Sequence, residues 1–283
     1  MYLKQFGLAQ YPFSLTPNTH YFLKLASHQQ AFTEILTALQ GQAGYSKVTG
    51  EVGTGKTMLC RKLLNSLEHY PDKFVTAYIP HPILSEEGVM RAVAEELALD
   101  HSAKSSYREL LQLISAQLVT IGKNCKRLVL LIDEAQAMPE ETLDALHLLT
   151  EVQSGKRRPL HVVLFGQPEL DELLAQSRLE RVRDNLGCSF VLPAMDRDDV
   201  EAYLQHRLVK AGYSGPHMFT ADAIDKLYEA SKGVPRLVNV LSHKALMVAY
   251  GKGAATIEEA FVTAAIDDTE SMQKPGRLKR LFS

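Results

Sequence analysis

The chain has 283 residues, 46 % of them apolar, which is enough for about two domains and excludes a disordered or collagen-like protein. Its 31 Lys and Arg against 33 Asp and Glu leave a net charge of −2, which excludes a wholesale nucleic-acid-coating protein and confines any anionic partner to a local patch. Cys60, Cys125 and Cys188 lie far apart without CxxC spacing, which excludes a zinc ribbon and suits a reducing compartment.

The N-terminus, MYLKQFGLAQYPFSLTP, lacks the apolar run of a signal peptide. The most apolar stretch, residues 128–132, is far short of the ~20 residues that span a bilayer. The chain therefore reads as cytosolic. Residues 1–20 are loop-like, with Gly7, Pro12 and Pro17 interrupting Phe6, Tyr11 and Phe13. Residues 27–40 place Ala31, Ile35, Leu36 and Leu39 on one helical face. A short strand over 46–49 runs into GEVGTGKT, and MLCRKLLNSL continues as a helix. FVTAYIP (74–80) is strand-like, and 85–99 and 105–121 read as helices. RLVLLID (127–133) and LHVVLFG (160–166) are continuous apolar runs, as strands buried on both faces require. PEETLDALHLLTEV between them is a helix with Pro139 suited to its first turn. SFVLPA (189–194) is a weaker strand.

After Pro193 four helical segments follow with no strand between them: 196–212, 221–233, 235–251 and 256–268. Repeated β-α units up to that shift predict a parallel sheet with helices on both faces. The expected organisation is an N-terminal linker and first helix (1–44), an α/β domain (45–195), a small all-helical domain (196–270) and a basic tail (271–283). The tail carries Lys274, Arg277, Lys279 and Arg280 with Leu278, Leu281 and Phe282. It reads either as weak, reversible contact with an anionic membrane surface, at ~1 kcal/mol per charge, or as a solubilising tail.

Gly50-Glu51-Val52-Gly53-Thr54-Gly55-Lys56-Thr57 fits G-x-x-x-x-G-K-[ST]. Glycines let the backbone wrap phosphate oxygens with N–H groups pointing inward, and the helix that follows adds its positive N-terminal end. Lys56 reaches the β/γ-phosphates and the Thr57 hydroxyl ligates Mg²⁺. With Met58, residues Gly50, Glu51, Val52, Gly53, Thr54, Gly55, Lys56 and Thr57 are the candidate ATP-binding set. Asp133 and Glu134 end the apolar strand 127–133, at the carboxyl edge where such sheets bind ligands. Asp133 is expected to hold the Mg²⁺ shell and Glu134 to deprotonate the attacking water. Cys60 reads as a buried small apolar side chain. The histidines show no metal-ligand spacing.

The order of loop, intervening strand and Asp-Glu pair resembles the additional-strand, catalytic-Glu branch of P-loop ATPases. Gly166-Gln167 after 160–166 and Gly233-Val234-Pro235-Arg236-Leu237-Val238-Asn239 resemble segments of the AAA+ ATPases within it. That resemblance implies that Gln167 positions the lytic water with Glu134. It implies that Arg236 senses the γ-phosphate, and that Arg183, or else Arg181, is an arginine finger facing a neighbouring subunit. The last Arg of the usual finger pattern falls here on Asn185. Phe6, Tyr11 and Phe13 are read either as flanking the adenine or as anchoring the N-terminal loop.

The N-terminal Tyr2-x-x-x-Phe6-Gly7-Leu8-x-x-x-Pro12-Phe13-Ser14-x-Thr16-Pro17, with GEVGTGKT, LLIDEAQ, VVLFGQPELDELL and GVPRLVN, resembles the ExeA/GspA-type ATPases of bacterial secretion systems. The sequence ends at Ser283 without the transmembrane helix and peptidoglycan-binding domain of the longer members, so the expected match is a shorter member serving an MSHA-like type IV pilus. The resemblance implies an AAA+ fold with strand order 5-1-4-3-2 and a helical lid, with the nucleotide between them. It also implies a homo-oligomer, ring or dimer, that binds ATP and ADP and assembles or remodels a pilus or type II secretion complex. Its place would be cytoplasmic, peripheral at the inner membrane. Two other readings stay open: a DNA-associated ATP switch, disfavoured by the acidic body, and an ATP-dependent scaffold with little hydrolysis.

Overall fold

The computed structural model describes residues 2–16 and 18–273, so the basic tail from Lys274 on lies outside the described residues. Two compact units emerge. One holds Ala26–Val52 and Lys56–Pro193; the other holds the described residues of Met1–Leu25, Gly53–Gly55 and Ala194–Ser283.

The first unit is an α/β sandwich. In chain order it contains α1 (Ala26–Ala38), β1 (Tyr45–Thr49), α2 (Lys56–Glu68), β2 (Phe74–Ile79), α3 (Glu86–Glu96) and α4 (Tyr107–Lys123). It continues with β3 (Arg127–Ile132), α5 (Glu140–Thr150), β4 (Leu160–Gly166), α6 (Glu169–Leu174), α7 (Glu180–Asp184) and β5 (Leu186–Val191). The sheet is wholly parallel, as the β-α repeats predict, with the order β2-β3-β4-β1-β5 that the family resemblance implies. β4 is buried along its whole length and β3 along all but its first residue. This explains their uninterrupted apolar character, because helices cover both faces of a parallel sheet. Ser85 caps α3, and Ser106 forms a capping box with Glu109 at the start of α4; each cap contributes about 1 kcal/mol.

Two local expectations are corrected. The last strand spans Leu186–Val191, three residues earlier than the SFVLPA run. Gly187 obscured it: the β1–β5 register slips there, Tyr45 facing Leu186 and Ser46 facing Cys188. A Cβ on Gly187 would lie 2.5 Å from that of Ala43, so the bulge admits only glycine. Pro139 is the N-cap of α5, one position before its first turn.

The second unit contains α8 (Arg197–Lys210), α9 (Ala221–Ser231), α10 (Pro235–Gly251) and α11 (Glu259–Gln273). Its core takes Tyr2, Phe6, Leu8, Phe13, Tyr21 and Leu25 from the N-terminal segment. The buried Arg207 of α8 fastens that segment. Its guanidinium donates to the carbonyl oxygens of Pro12 (2.5 Å) and Ser14 (3.2 Å) and lies over the Tyr21 ring. Phe6 and Phe13 are therefore anchors; Tyr11 is half exposed, edge-on to Tyr2 and His243. Among the described residues no helix is long and apolar enough to cross a membrane.

Candidate nucleotide site

The parallel register brings three strand ends together. Thr49 of β1 is level with Gly166 of β4, and Ile132 of β3 is level with Leu164 of β4. Gly50, Gln167 and the Asp133–Glu134 pair therefore leave the sheet at one carboxyl edge, the crevice where α/β sheets bind ligands. Residues some 30 to 120 positions apart in the chain meet there because hydrogen bonding in adjacent parallel strands fixes their height.

The loop after β1 has Gly53 and Gly55 at φ +86° and +100°, a region that residues with a Cβ rarely enter. Lys56 opens α2 and is almost wholly buried. Its ammonium donates to the carbonyl oxygens of Gly50 (2.6 Å) and Glu51 (2.8 Å). Burial lowers its pKa, opposed by the carboxylates of Glu134 and Asp133. Thr57 follows, and its side chain is hydrogen-bonded to the Asp133 carboxylate. Met58 lies in the same first turn of α2.

Asp133 is buried, with its carboxylate also accepting the Glu134 backbone N–H at 3.0 Å. Burial raises its pKa, and the Thr57 bond works against that. Glu134 sits at φ 53°, ψ 37°, a left-handed conformation that costs a non-glycine residue about 1 kcal/mol or more. That turn stops β3 and swings the side chain towards the end of β4. There the Gln136 and Gln167 carboxamides donate to Glu134 Oε2 at 2.7 and 3.2 Å. The Gln136 bond is the largest influence on Glu134 and holds its pKa below the usual carboxylate value.

Gln136 is the residue that sequence reasoning missed. It stands in a 3-10 turn, Ala135–Ala137, whose length and side-chain directions no local pattern reveals. Cys60 is wholly buried with its thiol pKa pushed well up by burial, so it acts as a small apolar side chain. Among the described residues no group of three or more His, Cys, Asp or Glu is placed to hold a metal.

Arg236, in the first turn of α10, belongs to the unit that includes Gly53, and its backbone N–H lies 3.4 Å from the Gly53 carbonyl oxygen. The Arg183 guanidinium donates to the carbonyl oxygens of Leu174 (3.3 Å) and Ala175 (3.4 Å) at the end of α6. Arg181 is exposed, and its side chain makes no hydrogen bond or ion pair among the described residues. Asn185 bonds within the chain: its amide donates to Arg181 O at 2.9 Å and its carbonyl accepts from Arg158 at 2.5 Å.

Residues 39–174 match the AAA domain family. The chain is 34 % identical over 276 residues to general secretion pathway protein A of Aeromonas hydrophila, covering 98 % of this chain and 50 % of that protein. It thus spans half the length of that curated relative. Among solved structures it resembles the Aeropyrum pernix ORC2 protein in its ADPNP-ADP complexes (TM-score 0.65, 16 % identity, 91 % of this chain and 71 % of that one). It also resembles the Thermotoga maritima RuvB Holliday junction branch migration motor (TM-score 0.58, 15 % identity, 91 % and 73 %). At such identities these structures speak for the fold alone.

Proposed function

We propose that the chain, whose residues 39–174 match the AAA domain family and whose fold is that of P-loop AAA+ ATPases, is a Mg-dependent ATPase of the secretion-pathway protein A group. The observation that carries this reading is the convergence of Lys56, Thr57, Asp133, Glu134 and Gln167 at one carboxyl edge of the sheet. The 34 % identity to general secretion pathway protein A supports the group.

The residues present fit Mg-ATP. Thr57 and the buried Asp133 offer the hard oxygen donors that Mg²⁺ takes, and these two would hold it. Bound there, the ion would neutralise phosphate charge. The chain's own part follows from its geometry. Backbone N–H groups of Gly50 to Met58 bind the phosphate oxygens. Lys56 exchanges its loop carbonyls for phosphate. Glu134 takes the proton of the attacking water, which Gln167 orients. Arg236 reads the γ-phosphate. Arg183, or else Arg181, acts as the finger towards a second copy.

The resemblance to secretion ATPases supports a role in assembling or remodelling a pilus or secretion complex at the cytoplasmic side of the inner membrane, most like MshM of MSHA pilus biogenesis. A homo-oligomer that binds ATP and ADP is part of that reading. The test is Mg-ATP hydrolysis per subunit as a function of protein concentration, with Glu134→Gln as control. Specific activity that rises with concentration and vanishes in the variant supports a shared-site ATPase. Background activity with intact binding of labelled ATP overturns the hydrolase reading and leaves an ATP-dependent scaffold, which Asn185 in the usual finger position would suit.

A further inference from the structure

We infer that Gln136 is a positioning residue for Glu134, tying its carboxylate to the main chain where β4 ends. The inference rests on the reading of Glu134 as the general base. Both ends of the Gln136 carboxamide are engaged. Its Nε2 donates to Glu134 Oε2 at 2.7 Å, and its Oε1 accepts the backbone N–H of Gln167 at 3.0 Å. The Gln167 side chain adds a second donor to the same Glu134 oxygen. Both carboxamides thus meet Oε2, and Oε1 has no hydrogen bond among the described residues. One oxygen is anchored and the other is left for a water.

The surroundings are shaped for this arrangement. The left-handed backbone at Glu134 brings Gln136 around in the 3-10 turn that follows. Gly166 leaves room for the bridge: a Cβ there would lie 3.1 Å from Gln136 Oε1 and 2.9 Å from Leu170 Cδ2. Gln167 bonds Glu134 through its side chain and Gln136 through its backbone, so the end of β4 and the catalytic carboxylate are joined at two points. A shift at the Gln167 turn would therefore be carried to Glu134. Lys56, His81 and Asp133 also act on Glu134 electrostatically, but they supply no such tether.

The experiment is a double-mutant cycle on the full chain, reading kcat, KM, the Kd of a fluorescent ATP analogue and Tm. Gln136→Met keeps length and removes both bonds. It is expected to lower kcat by about 10- to 100-fold, the cost of a misplaced catalytic group, with KM and Kd within about twofold. In a Glu134→Ala background the same substitution is expected to change the residual rate less than about twofold, because its effect passes through the missing carboxylate. Should Gln136→Met fail to fold, Gln136→Glu tests the same bond, since it retains the acceptor for the Gln167 N–H and loses the donor to Glu134. Equal losses in both backgrounds, or an unchanged kcat in the native background, would overturn the inference. Wild-type kcat in Glu134→Ala alone would overturn the general-base reading first, and a single variant separates the two failures.

Discussion

The ammonium of Lys56 lies 2.6 Å from the carbonyl oxygen of Gly50, folded back onto the loop that precedes it. Together with its bond to Glu51 O, this ties the buried charge to the first two residues of the loop. A phosphate arriving at the loop must compete with two charge-assisted bonds of about 1.5–3 kcal/mol each. It can do so because it offers full negative charge in place of carbonyl dipoles.

Lys56→Ala is accordingly expected to weaken binding of a fluorescent ATP analogue by at least about 30-fold, on the scale of one such bond. The sheet does not depend on this side chain, so far-UV circular dichroism is expected to be unchanged. Binding within threefold of the native protein would show that the lysine does not meet the phosphates.

Glu134→Gln keeps the size of the side chain and removes its basicity. Labelled ATP is expected to bind as before while hydrolysis falls by about 10²–10⁴-fold, the usual contribution of a general base. Parallel loss of binding would instead assign Glu134 to ground-state binding.

Gly233 precedes α10 at φ +71°, and a Cβ there would lie 1.8 Å from the Met195 carbonyl oxygen. Met195 N–H in turn donates to Gly233 O at 2.9 Å, so neither backbone can retreat freely. Gly233→Ala is expected to destabilise the helical unit by roughly 3–5 kcal/mol, the range of severe steric replacements. The neighbouring Lys232 is left-handed at φ 51° and has its side chain in solvent. Lys232→Gly should therefore raise Tm, by about 1 kcal/mol in stability. Thermal melts of the two variants should move in opposite directions.

His161 lies on a central strand, with Nε2 2.8 Å from Ser46 Oγ and Nδ1 2.9 Å from the Ala43 carbonyl oxygen. Burial, aided by the Arg127 charge, pushes its pKa down to about 3. The unfolded chain, with an ordinary histidine near 6.5, binds the extra proton between those values. Stability is thus present above pH ~6.5 and is lost as pH falls towards 3, by up to about 1.4 kcal/mol per pH unit. His147, His206 and His243, each lowered chiefly by burial, act in the same sense. His161→Gln should flatten the decline of Tm between pH 6.5 and 4.5; an unchanged slope would place the acid sensitivity elsewhere.

Much of the site was legible in the chain because its signals are local. GEVGTGKT prescribes a loop conformation by its glycines. An apolar run ending in Asp133 and Glu134 prescribes a buried strand with carboxylates at its mouth. GQP after LHVVLFG marks another strand end. The repeated β-α pattern gives a parallel sheet, and the resemblance to secretion ATPases implies its order, β2-β3-β4-β1-β5.

Other features depended on tertiary structure, since they arise from residues that carry no distinguishing type or spacing. Gln136 is one ordinary glutamine until the turn after β3 and the end of β4 lie side by side. Gly187 marks a bulge only because Ala43 crowds it, and Phe13 is an anchor only because Arg207 binds the carbonyls around it. Nor does the RLERVRD segment reveal that the Arg183 side chain is tied to the end of α6. Sequence alone determined which strands, loop and charged groups exist, because backbone conformation and burial pattern are set within a few residues. Tertiary structure decided which side chains meet, because hydrogen bonds and close contacts depend on positions to within an ångström, fixed by strand register and packing across the whole unit.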